Sequence, residues 1–184
     1  MQCMRASLVF LIIFFTDAVS SQENPSRKRP TIYSIRRFVI TPQRIWTYRV
    51  SKAGRIRCQF NQIRTATPLE IVYNKTFLCR RGRRSTSLRG EFDAQQGNRM
   101  DVRSDDLQRR FISTETLLYL AAKMSCGVLK IETAGRATFY ELRVLNDYVE
   151  TLPDHNCRSH FYRFARTGRL IYSPECKDLV KPDD

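Results

Sequence analysis

Glu141 and Arg143 stand two residues apart in Tyr140-Glu141-Leu142-Arg143-Val144. On a β-strand that spacing puts a carboxylate and a guanidinium on one side, together with Phe139, because side chains alternate between faces. Leu142 and Val144 take the other side, and both sides are partly apolar, so the residues alone leave the facing open. A second concentration of charge is Arg80-Arg81-Gly82-Arg83-Arg84. Read as a loop, it is either a solvated basic segment or a docking site for a glycosaminoglycan or another protein. Its last four residues also resemble a furin-type cleavage sequence.

The chain has six cysteines, none in C-x-x-C spacing, and two histidines, His155 and His160. That set is poor in zinc ligands, so neither a metal nor another cofactor is expected. No nucleophile elbow, phosphate loop or paired-carboxylate motif stands out, and an enzyme is not expected. Asn74-Lys75-Thr76 is a glycosylation sequon, whereas proline disqualifies Asn24-Pro25-Ser26.

The first twenty residues place this chemistry outside the cell. Arg5 precedes the apolar run Leu8–Phe15, and Ala18-Val19-Ser20 supplies small residues for cleavage. This is the three-part pattern of a signal peptide. Asp17 stops the run well short of the roughly 20 apolar residues a spanning helix needs. A secreted, extracellular chain is expected, with residues 1–20 removed. Cys3 leaves with that segment, and five cysteines remain in an oxidising compartment, an odd count that allows two bridges and one leftover thiol. The net charge of the full chain is +14. The removed part carries one arginine and one aspartate, so the balance stays strongly basic and favours acidic partners. Secretion argues against nucleic acid.

Residues 21–43 read as a basic segment ending in a short helix, with Thr31 as a cap and Ile35, Phe38 and Val39 on one face. Residues 44–179 form the folded unit, and 180–184 a charged tail. Within the unit, eight strands are expected at about 44–50, 55–64, 68–78, 85–93, 97–103, 114–122, 125–133 and 137–144. Connections such as Lys52-Ala53-Gly54 and Ala134-Gly135-Arg136 are of hairpin length. Even spacing without intervening helices predicts an all-β fold, an eight-stranded antiparallel up-and-down barrel with a ligand-sized interior. In 125–133, Gly127, Leu129 and Ile131 form the interior side, opposite Cys126, Val128, Lys130 and Glu132. A C-terminal helix opens at Pro153-Asp154, carries Cys157, Phe161, Phe164 and Ala165 at helical spacing, and meets a cap at Gly168.

These pieces, in order, resemble a known family. Ile45-Trp46-Thr47-Tyr48, Cys58, Leu88-Arg89-Gly90-Glu91-Phe92 and Met124-Ser125-Cys126-Gly127-Val128 come first. Tyr140 to Val144, Cys157 with Phe161, and Tyr172 leading to Cys176-Lys177-Asp178-Leu179 follow. The set is similar to the tick salivary lipocalins of the histamine-binding family. The resemblance implies an eight-stranded barrel with the C-terminal helix packed on it and the pairing Cys58–Cys176 and Cys126–Cys157. In the chain-entropy account those bridges contribute roughly 4–5 and 3–4 kcal/mol. Cys79 is then the free thiol, compatible with a monomer or with a Cys79-linked dimer.

The family's amine-binding pattern is Cys-Asp-aliphatic, then Glu-Leu-Trp or Glu-Leu-Tyr, then Cys. Here Glu141 is retained, Gly127 replaces the aspartate and Arg143 replaces the aromatic residue. By the resemblance Glu141, Arg143 and Phe139 face the cavity with Gly127, Leu129, Ile131 and Trp46. An inward Arg143 repels an amine cation or pairs with Glu141. The expected function is sequestration of a small host mediator, modulating inflammation or haemostasis. An acidic lipid, such as a fatty acid or eicosanoid, is favoured, with Arg143 meeting its carboxylate. Histamine or another biogenic amine is the alternative, and a filled barrel serving as scaffold for a basic binding surface is another.

Overall fold

A computed structural model describes residues 33–80 and 82–180. The expected signal segment, the tail at 21–30, Thr31, Arg81 and residues 181–184 lie outside them. Eight strands follow one another as antiparallel neighbours: β1 Ile45–Val50, β2 Arg57–Ala66, β3 Glu70–Cys79, β4 Gly82–Phe92, β5 Arg99–Ser104, β6 Phe111–Leu120, β7 Cys126–Thr133 and β8 Thr138–Leu145. β1 pairs with β8 on one side and with β2 on the other, through Ile45 opposite Asn61 and Trp46 opposite Phe60. That pairing closes the sheet into a barrel. A two-residue strand β9, Arg169–Leu170, adds to β1.

Strand alternation sorts the apolar side chains into two layers. The inner layer holds Ile71, Leu88, Met100, Val102, Leu117, Leu129, Ile131 and Phe139. The outer layer holds Trp46, Phe60, Val128, Leu142 and Val144, and both disulfides, Cys58–Cys176 and Cys126–Cys157, lie in it. The facing left open for 137–144 is thereby resolved: Phe139, Glu141 and Arg143 point in, and Leu142 and Val144 point out. Helix α2, His155–Ala165, covers the outer layer. Asp154 caps it, its carboxylate accepting from the Asn156 N–H at 2.8 Å, and Cys157 and Phe161 supply its buried face. A one-turn helix α3, Cys176–Leu179, and buried Val180 complete this layer, so the core reaches one residue into the stretch expected as a tail.

The N-terminal helix α1, Ile35–Val39, is capped by Ser34 rather than Thr31, the Ser34 hydroxyl accepting from the Arg37 N–H. Five residues are too few for a helix stable on its own. Burial of Ile35, Phe38 and Val39 holds it across one end of the barrel. There the Ile35 N–H donates to Gly97 O in the β4–β5 turn, and the Phe38 ring lies against Gly127. The opposite end stays open and carries the β1–β2, β3–β4, β5–β6 and β7–β8 connections. The basic run is part of a hairpin, not a loop: Arg83 and Arg84 belong to β4 and pair with Leu78 and Phe77.

Gly168 is not the helix cap. α2 ends at Arg166, in the left-handed region at φ 55°, and Gly168 lies beyond it against the Phe161 ring. A Cβ there would fall 2.4 Å from Phe161 Cε1. Gly168→Ala is therefore expected to cost about 1–3 kcal/mol through overpacking. Urea unfolding followed by fluorescence of Trp46, the chain's one tryptophan, reads this directly. An unchanged midpoint would show that the Phe161 ring yields freely.

Candidate functional site

Three ionised side chains meet inside the barrel. Arg143 on β8 donates from Nη1 and Nη2 to the two Glu115 oxygens at 2.7 and 2.9 Å, and from Nε to Glu141 Oε2 at 2.7 Å. Arg143, Glu115 and Glu141 are each no more than 2% exposed. Gln59 on β2 extends the network, donating to Thr47 Oγ1 at 2.7 Å and to Glu141 Oε1 at 3.2 Å. The strands position these groups directly. Glu141 and Arg143 lie opposite Leu129 and Gly127 on β7, and Glu115 on β6 lies opposite Ile131. The guanidinium spans β7 to join its neighbours on either side.

Burial alone would raise the Glu141 pKa, but Arg143, Lys75 and the hydrogen bonds from Arg143 and Gln59 outweigh it and hold it at about 2. Burial disfavours the Arg143 charge as well, and the two carboxylates more than reverse this, raising its pKa. One guanidinium between two carboxylates leaves the cluster one negative charge in excess. Cations nearer the open end offset it. Lys75 follows Ile71 and Tyr73 on the inward side of β3. Lys52, in the β1–β2 connection, is exposed at the rim, yet its ammonium sits 3.9 Å from the centre of the Phe139 ring. Partial burial there lowers its pKa, against the pull of Glu141. Among the described residues neither lysine forms a salt bridge.

Lys52, Gln59 and Glu141 line a cavity of about 260 Å³ at the open end, walled by Val50, Ile56 and Ile171. Deeper in, the barrel is filled. A void of about 10 Å³ lies beside Asn61 and Tyr73, whose Oδ1 and Oη are buried without a hydrogen-bond partner among the described residues. That volume suits one water, which those two atoms would bind. Burial, and then Glu115, push the Tyr73 hydroxyl well above its ordinary pKa. Among the described residues no cluster of histidine, cysteine and carboxylate side chains could hold a metal.

Of the residues expected to touch a ligand, Glu141 borders the cavity and Phe139 lies under Lys52, while Leu129 and Ile131 belong to the packed interior. Two are placed elsewhere. Trp46 points outward, between Phe60 and Tyr172, with Nε1 donating to Asn146 Oδ1 at 3.0 Å. Gly127 lies under Phe38, where a Cβ would be 3.2 Å from the ring and 3.0 Å from Leu117. Arg143 is not free to receive an acid, because Glu115 and Glu141 take all three of its nitrogens. The Cys79 thiol donates to Gly82 O at 3.5 Å and is unbridged. Asn74 is half-buried on β3. Arg80, Arg83 and Arg84 are exposed. Glu115, Gln59, Lys52 and Lys75 were not singled out in the sequence. For Glu115 the hint was its place two residues before Leu117, blurred by polar residues on both faces.

No protein-family model matches the chain, and no curated protein matches its sequence. Two solved structures are similar. Japanin from Rhipicephalus appendiculatus, bound to cholesterol, superposes with a TM-score of 0.55 at 11% identity, over 73% of this chain and 95% of that one. The siderocalin Ex-FABP, described as functioning through dual ligand specificities, superposes at 0.50 and 13% identity, over 68% and 84%. Both are lipocalins, and the chain has the lipocalin fold.

Removing Arg143 leaves Glu115 and Glu141 buried without their cation. Arg143→Met is expected to lose about 3–5 kcal/mol at pH 7. The loss should shrink as pH falls, because protonating one carboxyl relieves the repulsion. The parent behaves oppositely at Glu141: its folded pKa is depressed from 4.5 to about 2, so that contribution is complete above pH 4.5 and is lost as pH falls towards 2. Urea midpoints of both proteins at pH 7 and pH 4 test this; parallel shifts would contradict it.

Proposed function

We propose that the chain is a secreted carrier that sequesters a small apolar molecule bearing an acid group at the open end of its barrel. The observation that carries this reading is the cavity of about 260 Å³ in which Lys52, Arg55 and Arg169 outnumber the one carboxylate, Glu141, beside the aliphatic walls of Val50, Ile56 and Ile171. A ligand acid would meet Lys52, with Arg55 and Arg169 alongside it. This revises the role first expected of Arg143, which holds the interior together instead. The volume lies just below the usual 300–1,000 Å³ of ligand sites. The ligand is accordingly small, or keeps part of its chain outside.

Glu141 also borders the cavity, and it is the one feature that favours an amine such as histamine. Its two oxygens already accept from Arg143 and Gln59, and an incoming ammonium would meet Lys52, Arg55 and Arg169. The acid is favoured for that reason. Japanin's cholesterol shows an apolar ligand in the same fold, and a salivary role in modulating host inflammation or haemostasis follows from the sequence resemblance.

Titration calorimetry of protein secreted from eukaryotic cells, with a long-chain fatty acid, a leukotriene and histamine, tests the assignment. At least one acid is expected to bind with a Kd of about 1 μM or tighter, and Lys52→Glu to weaken it at least tenfold, about 1.4 kcal/mol, with the urea midpoint unchanged. Histamine binding without acid binding would overturn it.

A further inference from the structure

The open rim carries an unusual surface. Arg80, Arg83 and Arg84 of the β3–β4 hairpin, Arg109 of the β5–β6 connection, Arg136 of the β7–β8 turn and Arg55 of the β1–β2 connection are all exposed. None of the six forms a salt bridge among the described residues. The acids of this end are spent locally. Asp105 pairs with Arg89, Asp106 with Arg110, and Glu132 with Lys130. The hairpin also stands clear of its neighbour, since β4 pairs with β5 only from Leu88 onward. The Asp105 N–H donates to Ser87 O, joining the hairpin to the β5–β6 connection.

At the tip of that connection Leu107 is wholly exposed, at 104% of its reference area, and Phe111 and Ile112 just beyond it are 38% and 37% exposed. A fixed turn presents the leucine to solvent. Asp106 Oδ1 accepts from the Ser104 hydroxyl and from the N–H groups of Gln108 and Arg109, at 2.8 to 3.1 Å. A single exposed leucine is ordinary; one held at a loop tip, above two further apolar residues and among unpaired arginines, matches the mixed apolar and cationic chemistry of a bilayer interface.

We infer that the open rim docks on an anionic lipid surface, with Leu107 entering the interface and the arginines meeting lipid phosphates and carboxylates. Docked so, the cavity of Lys52 opens against the membrane, and an apolar ligand passes between bilayer and barrel without crossing water. A sulfated glycan would satisfy the arginines but has no place for Leu107, Phe111 and Ile112. The surface is independent of the ligand assignment: the rim can bind vesicles whatever the cavity takes.

The experiment is co-sedimentation of the secreted full chain with vesicles of phosphatidylcholine alone and with about 30% phosphatidylserine, at low and high salt. Expected is binding to the anionic vesicles only, weakened about tenfold or more at 0.5 M salt. Arg83→Ser with Arg84→Ser should weaken it about tenfold and Leu107→Ser severalfold. Arg36→Ser with Arg37→Ser, exposed on α1 at the other end, should change it little, with urea midpoints kept throughout. Absence of binding to the anionic vesicles overturns the inference. So does equal loss from the α1 pair, which would mean diffuse charge attraction. Binding indifferent to Leu107→Ser, with retention on heparin, overturns it in favour of a glycan.

Discussion

The interior depends on one buried cation. Arg143 could not stay charged inside the barrel on hydrophobic grounds, since the cost of desolvating a guanidinium is several kcal/mol even after relaxation. It is tolerated because Glu115 and Glu141 supply directed acceptors on two sides. Those acceptors sit on β6 and β8, with β7 between them, and Gln59 and Thr47 tie Glu141 to β2 and β1. The polar network therefore draws on four of the eight strands, including the pair that closes the barrel. A one-residue slip of any of these strands would turn its member outward and strand the others without partners. The cluster thus works against alternative registers more than it adds net stability.

That arrangement also divides the barrel along its axis. On one side α1 brings Phe38 onto Gly127, and apolar side chains fill the space. On the other, the same carboxylate that binds Arg143 forms part of the floor of the cavity. Glycine at 127 and arginine at 143 are opposite each other on paired strands, and the two fit together: the absent side chain admits the plug, and the long one reaches away to Glu115. Nearer the rim, Lys52 and Lys75 form no salt bridge among the described residues, and Lys52 borders the cavity.

Much of the fold was legible because the strands alternate cleanly. Leu129 and Ile131 against Lys130 and Glu132 fixed an inner side, and strand limits fell within about three residues of those observed. β4 begins three residues early because Arg83 and Arg84 carry no apolar signal, although backbone pairing with β3 suffices to extend it. Ser34 rather than Thr31 caps α1 because the helix begins only at Ile35. The inward direction of Glu141 and Arg143 came from the family resemblance, not from their strand, where both sides are partly apolar. Trp46 shows the limit of burial as a guide. In a barrel with an apolar layer on each side of the wall, a fully buried aromatic residue can serve the outer one, and its neighbours in sequence do not tell which.

Glu115 was less legible for a physical reason that reaches the site itself. Ser113, Thr114, Glu115 and Thr116 are polar on both faces of β6, so alternation marks no inside, although Ser113, Thr114 and Glu115 are all buried. A carboxylate is committed to such a position only when a partner waits three-dimensionally close, and that partner is 28 positions away in sequence. The charge pattern read from Glu141 and Arg143 alone is neutral; with Glu115 it is negative, and Lys75 and Lys52 stand on the side of Glu141 to offset it. The electrostatics of the interior therefore rest on five charges drawn from β3, β6, β8 and the β1–β2 connection, and no short motif contains more than two of them.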